Sequence, residues 1–502
     1  MASVEDVVAS SMNINSRLPA QLEKAIERNI VLRIGWTTSG SPVPKEGELG
    51  LCPALPKGAR IRSLGQLGPF TAAFGRGGTY THQGTCEGFL GAGNDGSIIT
   101  CERNAGIHVG YCMRSGRITV LDGVESDAGS LMSGGLLIIR GDAGARIGGG
   151  MSGGDIVVHG DVGPDPGAGM SGGRIIINGR CPQPPPGVSL RPLTKKETNE
   201  INKELAEDDL LIPADAVCLE AEIVPAEGIM ASCREDFSGI SLVTTKTEHN
   251  PNYSTCDTVK LIGDENSLAL PIPLMPYIPE GVSEGIEHPC MVKQSPRDCD
   301  IILIDSSNFV DMPELISNSA GFALDLSSLP SLGGAELDGL LVAAKSITTE
   351  QKKLLLISTV SNAQNLHSRA THHNVDCAIT ILDDGSGTSA AASLPLVGRS
   401  VATNLEGCIS GMMLPWSATS EDIAILCASN IDFAITMPPD ENIQAWLTQT
   451  SAGLMAHLNR LGLNSVDSLS RANLRACDQD TAAVSGLRLA GYERPMPHWF
   501  AR

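Results

Sequence analysis

Between Met113 and Gly179 the apolar and polar positions repeat with a period of 19 residues. MRSGRITVL starts at Met113, MSGGLLIIRGDAG at Met132, MSGGDIVVHGDVG at Met151 and MSGGRIIINGR at Met170. Gly116, Gly135, Gly154 and Gly173 keep the spacing, and so do the pairs Ile118/Val120, Leu137/Ile139, Ile156/Val158 and Ile175/Ile177. A weaker copy, GSIITCERNAG, begins at Gly96. Alternation of two gives each unit a short strand with one inward face. A fixed period with one strand per unit is the mark of a solenoid. The glycines disfavour helix, at about 1 kcal/mol each in a helix interior, but suit tight corners. The pattern predicts a right-handed parallel β-helix, one coil per 19 residues, with methionine at a repeated stacking position.

Elsewhere the period changes. Residues 15–30 place Leu18, Leu22, Ala25 and Ile26 on one face of a short amphipathic helix. After Gly179, prolines at 182 and 184–186 exclude ladder and helix, and a domain boundary is expected there. Residues 195–210 read as a charged surface helix. From about 215, apolar runs alternate with helix-like segments: IILID (301–305), LLLIST (354–359), CAITILDDGSGTSAA (377–391) and DFAIT (432–436). That rhythm is the βα pattern of a parallel fold. The expected architecture is multidomain, β plus α/β, with the β-helix first and a TIM-like (β/α) barrel second, whose closure the sequence leaves open. The expected divisions are 1–30 (helical lead-in), 31–180 (β-helix), 181–214 (proline-rich linker and helix) and 215–502 (barrel).

The length of 502 residues fits two or three domains. The net charge of −21 argues against nucleic acid or an anionic membrane as partner. No apolar run is long enough to span a bilayer. The first residues carry acids and no basic region, so a cytoplasmic location is expected. The 14 cysteines form no CxxC pair and read as reduced thiols.

The MSGG/GDxG repeats over roughly 75–180 resemble the GXGXG domain, the β-helix that closes the large subunit of glutamate synthase. Related domains occur in glutamate-synthase-like complexes and in formylmethanofuran dehydrogenase. The second half resembles the FMN-binding synthase domain of glutamate synthases, through ILDDGSGTSAA (381–391), AGLMAHLNRLGLNSVDSLSRANLRACD (452–478) and TAAVSGLRLAGYE (481–493). The resemblance implies a subunit of an amidotransferase/oxidoreductase complex that reduces a C–N (imine) bond with FMN. It also implies a separate glutaminase-type amidotransferase subunit, because no Cys follows Met1. An oligomer or hetero-complex is expected. Two other readings stay open: a non-catalytic scaffold with a degenerate barrel, and a C1-transfer subunit like that of formylmethanofuran dehydrogenase.

The resemblance assigns flavin contact to Asp384, Gly385, Ser386, Gly387 and Thr388, a loop that reads equally as a tight βα turn. It assigns the phosphate to Gly411, Ser417, Thr419 and Ser420, where Pro415 and Trp416 replace a glycine-rich turn and an ordinary helix start is the rival reading. The lysine expected after LLLIST is replaced by Ser358 and Thr359. No cysteine-rich loop follows DFAIT, so no 3Fe–4S cluster and no metal are expected, and whether the chain is an enzyme stays open. His367, His372 and His373 share no clean face and read as a surface helix end. Asp305 sits at a strand's C-terminal end, where barrel chemistry gathers, or caps the next turn. Asp142, Asp155, Asp161 and Asp165 read as turn residues.

Overall fold

The computed structural model describes all residues except 1–2, 37–44, 207–209, 223–235, 246–258, 261–268, 281–282, 284, 349–350, 383–387, 440–441 and 493–502. The chain forms two compact units. The first comprises Met1–Glu227, Ser306–Ser317 and Ser331–Gln351; the second comprises Gly228–Asp305, Asn318–Pro330 and Lys352–Arg502.

The first unit begins with α1 (Val4–Glu27), closed at its start by a capping box between Ser3 and Asp6. The helix therefore starts well before residue 15, and Ile26, expected on the buried face, is 37% exposed. The buried face instead carries Ser11 and Asn15 beside Leu18, Leu22 and Ala25. Asn15 is satisfied by Gly50 O, Ser346 Oγ and Cys52 N. Such full pairing makes a buried amide tolerable.

Next come β1 (Leu32–Ile34), β2 (Lys45–Glu46), β3 (Arg60–Leu67), β4 (Thr79–Cys86), β5 (Asp95–Cys101), β6 (Ser115–Val120), β7 (Ser133–Ile139), β8 (Ser152–Val158) and β9 (Gly172–Ile177). From β3 to β9 each strand pairs in parallel with the next. Ile118, Leu137, Ile156 and Ile175 fall opposite one another across four successive strands. A second parallel line of bridges runs Cys86, Ala105, Val124, Ala143, Val162, again 19 residues apart. The repeat is thus a stack of turns in register.

The inward pairs, from Ile118/Val120 to Ile175/Ile177, are 0–1% exposed. At about 25 cal/mol per Å² of apolar area removed from water, they dominate the cohesion of the stack. The methionines explain the repeated glycines. A Cβ on Gly135, Gly154 or Gly173 would stand 2.5, 2.7 or 2.4 Å from the methyl of Met113, Met132 or Met151, and each glycine has φ between +79° and +85°. Charged side chains tie turn to turn as well. Asp95, Asp127 and Asp155 each pair with the arginine 19 residues on, Arg114, Arg146 and Arg174, at 2.7, 2.5 and 2.7 Å. Asp142 and Asp161 accept the backbone N–H of the residue 19 positions later, both at 2.8 Å. Asp165 takes a left-handed turn conformation, φ +57°, whereas Asp155, expected in a turn, lies within β8.

The stack ends at β10 (Val188–Pro192) and β11 (Val217–Ala221). β11 lies antiparallel to both β9 and β10. Between them α2 (Lys195–Leu205), boxed by Thr194 and Glu197, buries Ile201 and Leu205 against Ile138, Val157 and Ile176 on the outward face of the strands. The charged segment is therefore a cover for the sheet rather than a bare surface helix.

In the second unit, β12 (Ile240–Leu242), β13 (Val259–Lys260) and β14 (Ala269–Leu270) precede a closed parallel barrel. Its strands are β15 (Leu274–Ile278), β16 (Met291–Val292), β17 (Ile301–Ile304), β18 (Gly321–Asp325), β19 (Lys353–Thr359), β20 (Cys377–Ile381), β21 (Ile409–Met413) and β22 (Phe433–Thr436). Leu274–Pro276 pair with Ala434–Thr436, so the barrel left open by the sequence is complete. The connections carry α3 (Met312–Ser317), α4 (Gly334–Lys345), α5 (Ala363–His372), α6 (Ala390–Asn404) and α7 (Ser420–Cys427); α8 (Ile443–Leu461) follows β22. α3 and α4 group with the first unit. β23 (Leu474–Ala476) pairs antiparallel with β12, and α9 (Gln479–Ser485) follows. No helix among the described residues is long and apolar enough to cross a membrane.

Candidate functional site

The barrel strands alternate between an inner and an outer face. Met275, Met291, Ile301, Leu303, Ala323, Leu355, Ile357, Cys377, Ile379, Phe433 and Ile435 fill the inside. One step further towards the C-terminal ends, the same alternation brings up Tyr277, Lys293, Asp305, Asp325, Thr359, Ile381 and Met413. Tyr277, Ile381 and Met413 pack onto the inner cluster from above. This top layer is polar on the five adjacent strands β15–β19 and apolar on β20 and β21. The C-terminal face is where parallel barrels carry their chemistry.

Lys293 and Asp305 form the hardest contact in this layer. Nζ lies 2.5 Å from Oδ2, with the side chains 30% and 11% exposed. Burial pulls the Lys293 ammonium down, yet the Asp305 hydrogen bond and the charges of Asp305 and Asp325 outweigh it, so its pKa stands above the ordinary lysine value. Burial raises the Tyr277 phenol, and the charge of the neighbouring Lys293 offsets only part of that. Asp325 Oδ1 accepts from Ser327 N–H at 2.9 Å and from its hydroxyl at 2.5 Å. At neutral pH the mouth therefore holds a charged lysine and a protonated phenol side by side.

Asp300, at the opposite end of β17, has a different task. It is fully buried, and its oxygens accept from Ser283 Oγ, Cys290 N and the backbone, Nε and Nη2 of Arg297, at 2.5–3.0 Å. Burial alone would raise its pKa, but these donors hold it below the usual carboxylate range. A carboxylate so saturated is structural.

The residues assigned from sequence are described only in part. Asp384, Gly385, Ser386 and Gly387 lie outside the described residues, and Thr388 stands just before Ser389, the N-cap of α6. Gly411 is buried within β21, where a Cβ would meet the Phe433 ring at 2.8 Å, so Phe433 fills that space. Ser417 Oγ donates to Met437 O at 2.8 Å. Thr419 caps α7 through Asp422. The Ser420 hydroxyl lies 2.5 Å from where a Cβ on Gly453 would stand. His367 is not at a surface helix end. It is buried, with Nδ1 2.7 Å from Ser400 Oγ, and burial lowers its pKa to about 4. His372 and His373 stay at the helix end with their rings edge to face.

Lys293, Asp325 and Tyr277 escaped the sequence reading. β16 is two residues long, and Tyr277 sits in PIPLMPYIP, whose prolines argue against a strand. The usable signal was alternation carried one step past each strand end. Among the described residues no group of three or more His, Cys, Asp or Glu is arranged to hold a metal ion. The first unit carries a separate cleft of about 800 Å³ along the corners of the stack, with Glu87, Glu125 and Glu336 in its walls. Burial first, then Glu336 and Glu125, raises the Glu87 carboxyl. None of the residues lining it is basic, which disfavours an anionic ligand there.

No family model and no curated protein matches the chain. Among solved structures, the chain is similar to a mandelate oxidase variant with 2-hydroxy-phenylacetamide, at 11% identity over 48% of this chain and 87% of that one, with a TM-score of 0.36. It is similar to a flavocytochrome b2 mutant at 12% identity over 52% and 83%, with a TM-score of 0.36. It is also similar to a mandelate oxidase mutant with a C4a-OH-FMN adduct at 10% identity over 47% and 87%, with a TM-score of 0.33. Likenesses this faint say nothing of what the present chain binds or does.

Proposed function

We propose that the chain is a glutamate-synthase-like subunit of a cytoplasmic amidotransferase/oxidoreductase complex. In this reading the stack is a right-handed parallel β-helix. The barrel mouth is the reaction centre, where a C–N (imine) bond is reduced with FMN. A glutaminase-type partner supplies the ammonia. The observation that carries the reading is the top layer of the barrel: Tyr277, Lys293, Asp305 and Asp325 on one arc, Ile381 and Met413 on the other. A ring system with one polar and one apolar edge, such as the isoalloxazine of a flavin, is complementary to such a layer.

When bound, the flavin supplies the hydride. The chain's own side chains supply charge and a proton. Lys293 is kept charged and aimed by Asp305, so it can orient a substrate carboxylate or polarise the group that is reduced. Tyr277 holds a proton at its hydroxyl beside that ammonium. The residues assigned to the phosphate fit it poorly. Gly411 is filled by Phe433, and Thr419 already has an internal carboxylate partner. That observation favours a second reading, a scaffold subunit with a barrel that no longer reacts.

Titration of the purified protein with FMN, read by quenching of flavin fluorescence, separates the two. Saturable stoichiometric binding, weakened by Lys293→Met in a protein that still folds, supports the reaction centre. Flavin fluorescence unchanged at protein excess sinks it and leaves the scaffold.

A further inference from the structure

In parallel barrels, a phosphate is often held by the loops after the last two strands and the N-terminus of a helix there. Free N–H groups and the helix dipole make that end attractive to anions. The seventh strand here is β21, and the helix after it is α7.

That position already holds an anion, and the anion belongs to the chain. Asp422, in the first turn of α7, is 8% exposed. Its Oδ2 accepts from Thr419 N–H and from Thr419 Oγ1, both at 2.8 Å, and from the indole N–H of Trp416 at 3.3 Å. Asp422 N–H donates back to Thr419 Oγ1 at 3.2 Å. Two neighbouring hydroxyls are turned elsewhere: Ser417 donates to Met437 O, and Thr436 donates to Trp416 O. The Trp416 ring is fixed edge-on against Phe237, with centroids 5.3 Å apart. A phosphate would have to displace a carboxylate from three donors or bind beside it against like charge.

We infer that Asp422 is a built-in substitute for a ligand's anionic group, so the barrel selects its ligand without a phosphate contact at α7. Resting on the barrel mouth as the binding site, the inference sets a specificity. The mouth takes the ring or the small substrate, and a phosphate tail adds no affinity through Ser417, Thr419 or Ser420.

Two probes test it, inorganic phosphate and the pair FMN and riboflavin. The wild type is compared with Asp422→Asn, which keeps the shape of the cap and removes its charge. Asp422→Ser is the second variant should the first fail to fold, as judged by circular dichroism. Thermal melts are run in phosphate against chloride at equal ionic strength. The wild type is expected to show no phosphate-specific shift, and the variant to be stabilised by phosphate. In flavin titrations, the wild type should bind FMN and riboflavin with about equal affinity, while the neutral variant should prefer FMN by about tenfold, the effect of one charge-assisted contact. A wild type that prefers FMN by about tenfold, with the preference lost in Thr419→Val, overturns the inference. So does a folded neutral variant that gains nothing from phosphate. If neither flavin binds the wild type, the flavin reading fails, and the phosphate melts alone decide the role of Asp422.

Discussion

The stack and the barrel are both parallel β structures, and they use their polar side chains in opposite ways. In the stack, each turn lies against the turn before and the turn after, so many polar groups find a partner one period away. Asp127 meets Arg146, and Asp142 meets the backbone of Asp161. The result is a repeating segment in which these pairs hold the register. In the barrel, β22 returns to β15 and seals the inside with apolar side chains. Polar groups are then excluded from the middle and collect at the two ends. One end satisfies itself completely, around Asp300 and Arg297. The other presents a charged lysine, a phenol and carboxylates in a single layer. A repeat distributes its chemistry, and a closed barrel concentrates it.

The sharpest way to break this contrast is at the self-satisfied end. Asp300→Ala removes a fully buried carboxylate from the half-buried Arg297 guanidinium and strands the donors of Ser283 and Cys290, and a loss of about 3 kcal/mol is expected in denaturant unfolding. A loss below about 1 kcal/mol would show that this end is solvated like a surface pair. In the stack, Leu137→Ala removes a fully buried inward side chain and should cost about 2–5 kcal/mol. Its footprint distinguishes the two regions. Hydrogen-exchange protection should fall in β7 and its neighbours β6 and β8, and protection lost evenly over the chain would refute nearest-neighbour cohesion.

A third effect belongs to α5. His367 has a folded pKa of about 4, below its ordinary value of 6.5. Between those two values the unfolded chain binds the extra proton. Stability is therefore complete above pH about 6.5 and declines as the pH falls towards 4, by about 3 kcal/mol from this group. His367→Gln should flatten that part of the profile, and a profile with the same slope in the variant would assign the acid sensitivity elsewhere. The smallest effect is expected from the ladder of ion pairs. Arg146 is 54% exposed, so Arg146→Ala should cost less than about 1 kcal/mol in denaturant unfolding, and that cost should shrink further at high salt.

Much of the fold was legible because it follows from local pattern. The 19-residue turns, the turn role of Asp142 and Asp161, and the strands from Ile301 onward all lie where apolar alternation and corner residues place them. Composition misled at α2. Its lysines and glutamates mask Ile201 and Leu205, spaced four apart and enough to cover the sheet. The candidate site was far less legible. Asp305 stood out at the end of a long apolar strand, whereas Lys293 follows a strand of two residues and Tyr277 a stretch broken by prolines.

The amino-acid sequence by itself determined the stacked repeat and the βα rhythm of the second half. Each repeated unit satisfies its strand, corner and stacking position with residues a fixed distance away, so one period contains the whole argument. Only the tertiary structure decided that the barrel closes and which side chains share its mouth. Closure joins Leu274 to Ala434, and the mouth gathers Tyr277, Lys293, Asp305 and Asp325 from four strands. Such relations depend on distances through space that no local spacing encodes.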